Sequence, residues 1–103
     1  MTIVREPCVY IIASGRHGTL YPGGTSNLIQ RIHQHRAGIF TGFYRRNNCP
    51  PVWFERHERM EAAIQREKRI TEWPRNWKLK LIETTNPHWH DLATGLGLSA
   101  VPQ

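Results

Sequence analysis

The sequence predicts an α+β domain in which a small three-stranded, largely antiparallel β-sheet is flanked by about three helices, in the order β-β-α-β-α-α. Two observations set that expectation. Three short runs are rich in β-branched and aromatic residues: CVYIIA at 8–13, TLYPGG at 19–24 and PVWFER at 51–56. That is the composition of strands. Elsewhere, apolar residues recur at helical spacing between capping and breaking residues, first after Thr25 and again after Glu58 and Pro74.

Each element follows from local chemistry. SGRHG separates the first two runs and is a turn by composition, so the pair forms a hairpin. That hairpin puts Tyr10 and Tyr21 in one sheet. Thr25, Ser26 and Asn27 are capping residue types, and Gln30 follows Asn27 by three places, as in a capping box. The helix they start runs from Leu28 to about Arg36 and ends at Gly38. It turns Leu28 and Ile32 to the core, while Arg31 and His35, four apart, share an adjacent face.

FTGFYRRNNCPP reads as loop. After the third strand, a second helix is expected from about Glu58 to Trp73, with Met60, Ala63, Ile64 and Ile70 as its apolar stripe. Pro74 suits the first position of a third helix, buried through Trp77, Leu81 and Ile82. Asn86-Pro87 ends it, because a residue before proline is pushed out of the helical region. The tryptophans (Trp53, Trp73, Trp77, Trp89) are expected to fill the core.

A chain of 103 residues makes one domain and can build a core without disulfide or metal staples. The patterned part is residues 1–92. Residues 93–103, ATGLGLSAVPQ, read as a loosely held tail. Charge is uneven. Residues 1–54 carry six arginines against one glutamate, net +5, while residues 55–103 carry eight basic and seven acidic groups, net +1. Clustered arginine is the electrostatic footprint of a phosphate-binding face, which implies a nucleic-acid partner.

Cys8 and Cys49 lack CxxC spacing, and no signal peptide is visible, so reduced thiols in a cytoplasmic protein are expected. No run approaches the roughly 20 apolar residues of a membrane span. His33/His35 and His88/His90 lack the cysteine partners or the HExxH spacing of a zinc site.

The remaining information is in polar residues set among apolar ones. Glu67 follows Ala63 by four and Ile64 by three, so it interrupts the apolar stripe of its helix. A carboxylate there costs several kcal/mol unless it is paired or metal-bound. Mg²⁺ takes only one or two carboxylates and completes its shell with water and phosphate, so one glutamate suffices. With two tyrosines in neighbouring strands and Arg31 one element later, the set contains a proton relay, a cation for phosphate and a metal ligand. Those are the parts phosphodiester hydrolysis requires.

The order of these pieces resembles the GIY-YIG nuclease family over nearly the whole chain, from Val9 to about Leu92. VYI stands for the first motif and YPG for the second. TSNLIQRIHQH resembles the helix carrying the family arginine, AAIQREKRITEW the helix carrying its metal-binding glutamate, and LIETTNPHWHDL the closing segment. Carried over by position, the resemblance implies catalytic roles for Tyr10, Tyr21, Arg31, His35, Glu67 and Asn86, with Glu67 holding the metal. A further family position after the first helix falls on Tyr44. Two departures stand out: Val9 replaces the glycine of the family name, and Pro22 replaces a β-branched residue in the second motif. Proline removes a ladder N–H and is tolerated mainly at edges or bulges.

What the resemblance implies is an endonuclease that uses Mg²⁺ or Mn²⁺ to hydrolyse DNA phosphodiester bonds. Arg31 and the Glu67-bound metal would stabilise the charge gained by the phosphate, and Tyr10, or Tyr21 working with His35, would take the proton from water. Asn86 would fix the metal-side geometry or hydrogen-bond a phosphate. Tyr44, Arg36, Arg45 and Arg46 would line the nucleic-acid path, the arginines adding affinity without reading sequence. With no recognition helix or zinc module in view, the expected specificity is for nucleic-acid structure, or is supplied by a partner protein. Two other classes compete: a non-catalytic nucleic-acid-binding module of the same fold, and a protein-interaction domain.

Overall fold

The computed structural model describes residues 6–36 and 50–96. Three strands, β1 (Cys8–Ala13), β2 (Leu20–Thr25) and β3 (Pro51–Arg56), form one sheet in the order β2-β1-β3, with both pairings antiparallel. Among the described residues the helices are α1 (Leu28–Arg36), α2 (Met60–Glu72) and α3 (Arg75–Thr85), followed by a 3₁₀ turn at Thr94–Leu96. The expected α+β architecture is present. The β-β-α-β-α-α order holds for the described elements, and the hairpin and all three strands lie where the apolar runs put them.

The central strand explains the layering. All six residues of β1 are buried, because both of its faces are covered. Cys8, Tyr10 and Ile12 pack on one side with Leu28 and Ile32 of α1. Val9, Ile11 and Ala13 pack on the other with Ala63, Ile70 and Ile82 of α2 and α3. A strand buried on both faces reads as a continuous apolar run rather than an alternating one. CVYIIA is such a run.

β1 and β3 lose register between Ile11 and Ile12, which pair with Trp53 and Pro51, leaving Val52 unmatched. This bulge allows Val52 and its neighbour Trp53 both to join the larger core cluster.

The start of α1 is fixed by side chains. The Gln30 N–H donates to Asn27 Oδ1 at 3.1 Å, and the Asn27 N–H donates to Thr25 Oγ1 at 3.1 Å. Asn27 is thus the cap. Because Thr25 already satisfies the Asn27 N–H, that donor does not call on Gln30 to close a reciprocal box.

Several expectations about the helices change. α2 begins at Met60, not Glu58, and Ile64 is 41% exposed, so the apolar stripe is narrower than its four residues. Pro74 sits one position before the first turn of α3, as its N-cap. Trp77 is 54% exposed and meets Trp73 edge-on at 5.8 Å instead of entering the core. Ile82 and the partly buried Leu81 carry α3 onto the core.

The described structure continues past Leu92 to the turn at Thr94–Leu96. Ala93 is fully buried, its N–H bonded to Asp91 Oδ1, and the Leu92 N–H is held by the Pro51 carbonyl. Gly38, Tyr44, Arg45, Arg46 and Cys49, and residues 97–103, lie outside the described residues. No helix of the described residues is long and apolar enough to cross a membrane.

Candidate active site

Tyr10 is the centre of the site. Its side chain points to the α1 face and is 2% exposed. In the β1–β2 register it lies opposite Gly23, and a Cβ on Gly23 would sit 2.5 Å from both Cζ and the hydroxyl of Tyr10. The phenol therefore lies flat across the Gly23 backbone and reaches toward the β2 edge of the sheet. Only a residue without a side chain leaves that path open.

Tyr21 is two residues before Gly23 on the same face of β2, diagonal to Tyr10 and 42% exposed. Arg31 comes from α1, half-buried. Glu67 comes from α2 on the other side of β2. There Gly24, whose side-chain direction is opposite to that of Gly23, faces the helix: a Cβ on it would make only ordinary contact, 3.9 Å from Glu67 Cβ and Met60 Cε.

Arg31, Tyr21 and Glu67 all lie near enough to the Tyr10 hydroxyl to act on its charge. Burial pushes the Tyr10 hydroxyl up to about 12; the Arg31 charge opposes this, while Tyr21 and Glu67 reinforce it. A phenol responds to such partners only when they are close. Four elements thus deliver one side chain each to the β2 edge: β1, β2, α1 and α2. At neutral pH Tyr10 carries its proton, so it acts there as a hydrogen-bond donor.

The Glu67 carboxylate is half-buried and is oriented within its own helix. The Thr71 hydroxyl, one turn on, approaches Glu67 Oε1 at 3.2 Å and the Glu67 carbonyl at 2.8 Å. Among the described residues, no three His, Cys, Asp or Glu side chains gather as a metal cage. A lone, oriented carboxylate open to water suits a hard cation that keeps most of its shell as water and phosphate oxygen. Mg²⁺ and Mn²⁺ fit such a donor; a structural zinc site does not.

Asn86 is elsewhere. It is buried at the C-cap of α3, and its Nδ2 donates to the carbonyls of Val52 and His90 at 3.0 Å each, while Oδ1 accepts from the His90 N–H at 2.9 Å. Both amide hydrogens are therefore spent on backbone. Val52 is the bulged residue of β3, the edge opposite β2. Those bonds tie the segment after α3 to the bulge.

His35 and Arg36 occupy the last turn of α1, with only their backbone described. Tyr44, Arg45 and Arg46 fall outside the described residues. Pro22 pairs with Ile11 in an unbroken register on an edge strand, where a missing donor is tolerated. Two supporting residues lie outside the sequence expectations: Gly23 and Thr71. Their signals are the glycine directly after the second motif tyrosine and proline, and a hydroxyl four places after Glu67.

Comparison with known proteins agrees with this geometry. A family model described as the GIY-YIG catalytic domain matches residues 6–80. A UPF0213 protein of Oceanobacillus iheyensis is 37% identical over 76 residues, covering 73% of this chain and 87% of that protein. A UPF0213 protein of Clostridium perfringens is 38% identical over 77 residues, covering 74% and 82% respectively. No solved structure matches significantly.

Proposed function

The chain belongs to the GIY-YIG family, and on that premise we propose that it is a metal-dependent endonuclease hydrolysing phosphodiester bonds of DNA, directed by nucleic-acid structure rather than sequence. The observation carrying this reading is the convergence of Tyr10, Tyr21, Arg31 and Glu67 at one sheet edge, evident in the influence of the other three on the Tyr10 hydroxyl.

Glu67 would hold the metal, Mg²⁺ or Mn²⁺, with Thr71 keeping its carboxylate in place. A cation bound there supplies Lewis acidity to the phosphoryl oxygens and makes water a better nucleophile. Arg31 contributes the fixed positive charge that the phosphate's extra negative charge requires as water adds. Tyr10, held protonated by burial, donates a hydrogen bond to a phosphate oxygen and is a poor base at neutral pH. Tyr21, 42% exposed at the mouth of the site, would take the proton of the attacking water as its own phenolic proton passes to His35, a two-proton relay that ends on the imidazole. Gly23 leaves open the path by which Tyr10 reaches the edge it shares with Tyr21 and Glu67. The basic residues of the first half, Arg36, Arg45 and Arg46 among them, would hold the flanking backbone, and a partner protein would add target choice.

The test is incubation of labelled duplex, single-stranded and branched DNA with the protein in Mg²⁺, Mn²⁺ or EDTA. Cutting in either metal and none in EDTA is expected. Metal-indifferent binding without cutting on every substrate would leave the non-catalytic module instead.

A further inference from the structure

The β1–β2 turn and the start of α3 enclose a cleft of about 450 Å³ lined by Ser14, His17, Thr19, Arg75 and Lys78, together with Gly18 and Leu20. None of its lining residues is acidic. The walls are held in place. The Ser14 N–H donates to the Thr19 carbonyl at 3.3 Å, the Gly18 N–H to the Gly15 carbonyl at 3.0 Å, and the Thr19 N–H to Ser14 Oγ at 3.0 Å. A Cβ at Gly18 would collide with Ser14 Oγ, so the turn closes tightly at this point.

The two permanent cations of the cleft are positioned by backbone carbonyls. Arg75 Nη2 donates to the Arg16 carbonyl at 2.7 Å, and Lys78 Nζ donates to the Thr71 carbonyl at 3.2 Å. Each such bond uses only part of the donor set: a guanidinium has five N–H groups and an ammonium three. Arg16, by contrast, has its charge met by Glu83 at 2.6 Å.

The position of Lys78 gives the cleft its meaning. Thr71, whose carbonyl it holds, is the residue whose hydroxyl orients the Glu67 carboxylate. The ammonium therefore lies roughly 10 Å from that carboxylate, two hydrogen bonds and one residue away. A nucleic-acid strand advances about 3.4 Å along its axis per nucleotide. A strand held at Glu67 thus passes the cleft within a few nucleotides.

We propose that this cleft is a subsite for a backbone phosphate of the nucleic-acid strand held at the Glu67 site, with Arg75 and Lys78 as its cationic ligands and His17, Ser14 and Thr19 as hydrogen-bonding partners. The identity of the polymer rests on the nuclease reading. The subsite sets where a strand sits relative to Glu67, and it carries no base recognition.

The test reads binding separately from cutting. Anisotropy of labelled DNA is measured in EDTA, between about 50 and 200 mM salt, for the wild type, Arg75→Gln, Lys78→Gln and the double variant. Lys80→Gln, two residues on and so on the opposite side of α3, is the control for loss of any one charge. The double variant is expected to bind about tenfold more weakly at low salt, with the slope of log affinity against log salt shallower by about 1. Lys80→Gln should change neither by more than a small fraction of that.

Should the double variant unfold, Lys78→Gln alone carries the comparison, because its single bond to the Thr71 carbonyl lies at the surface. Equal affinity and slope in a folded Arg75/Lys78 variant, or an equal loss in Lys80→Gln, overturns the subsite. So does saturation by inorganic phosphate alone, seen at the Gly18 and Thr19 amides, if DNA affinity is unchanged in the double variant. A wild type that binds DNA but never cuts it would sink the nuclease reading, and the anisotropy series would still decide the cleft.

Discussion

Replacing Gly23 with alanine tests the construction of the site more sharply than removing any of its polar groups. The added Cβ would lie 2.5 Å from Cζ and the hydroxyl of Tyr10 and 3.0 Å from Cε1. Ordinary carbon contacts fall near 3.5 Å or beyond, so the ring must retreat by about 1 Å. It has little room to do so, since Tyr10 is packed among Cys8, Ile12, Leu28 and Ile32. Gly23 has no positive φ, so the backbone accepts alanine and the penalty is steric alone. Overpacking of this kind costs about 1 to 3 kcal/mol. In a domain of this size, that lowers the melting temperature by about 4 to 8 °C per kcal/mol.

The same 1 Å shift moves the Tyr10 hydroxyl, and an error of that size in a catalytic site can reduce turnover by about 10²-fold. Gly24→Ala is the matched control. Its Cβ meets nothing closer than 3.9 Å, so stability and cleavage should stay near wild type. Thermal melts and single-turnover cleavage of the two variants decide the matter. If Gly23→Ala melts and cuts like wild type, or Gly24→Ala is equally damaged, the phenol does not lie across Gly23 as described.

Three further outcomes follow from the same structure. Asn86→Ala strips three backbone partners at the β3 bulge and should cost about 2 to 4 kcal/mol in urea denaturation; full stability with selective loss of cleavage would return Asn86 to the chemistry. Burial raises the Tyr10 hydroxyl to about 12 and the Cys8 thiol to about 11. Both exceed their ordinary values, so the folded state keeps protons that the unfolded state loses. Stability should therefore be level below about pH 9 and fall as pH rises toward about 11 to 12, by at most about 1.4 kcal/mol per pH unit for each group. Melts of Cys8→Ala and Tyr10→Phe across that range should show a shallower decline, and an unchanged slope in both would refute the assignment. Thr71→Val should leave the fold intact but weaken Mn²⁺ binding several-fold, measured by titration calorimetry, because the Glu67 carboxylate loses the Thr71 hydroxyl 3.2 Å away.

Much of the fold was legible because its determinants are local. CVYIIA reads as a strand from its β-branched and aromatic residues, and Asn27 with Thr25 announced the start of α1 at the residue where it occurs. Glu67 could be picked out because a charge in an apolar stripe breaks a period. What escaped was set by tertiary geometry. Periodicity could not show that α2 covers so small a sheet that Ile64 falls beyond its rim, or that Trp77 would lean on Trp73 outside the core. The bulge at Val52 and its anchor Asn86 are joined across 34 residues, a pairing no local pattern contains. Resemblance named Asn86, but only the folded chain shows the backbone groups its amide holds. Gly23 was visible, yet its purpose appears only when Tyr10 crosses it.

The most direct measurement is single-turnover cleavage of labelled DNA by wild type and Glu67→Gln in Mg²⁺ and in EDTA, with thermal melts run on the same samples. Glu67→Gln keeps the size of the side chain and its contact with Thr71 while removing the charge that a metal needs. The predicted result is cutting by wild type in Mg²⁺ alone, and none by a Glu67→Gln protein that melts within a few degrees of wild type. Cutting that survives either EDTA or the Glu67→Gln change would contradict a metal-dependent nuclease site at the β2 edge.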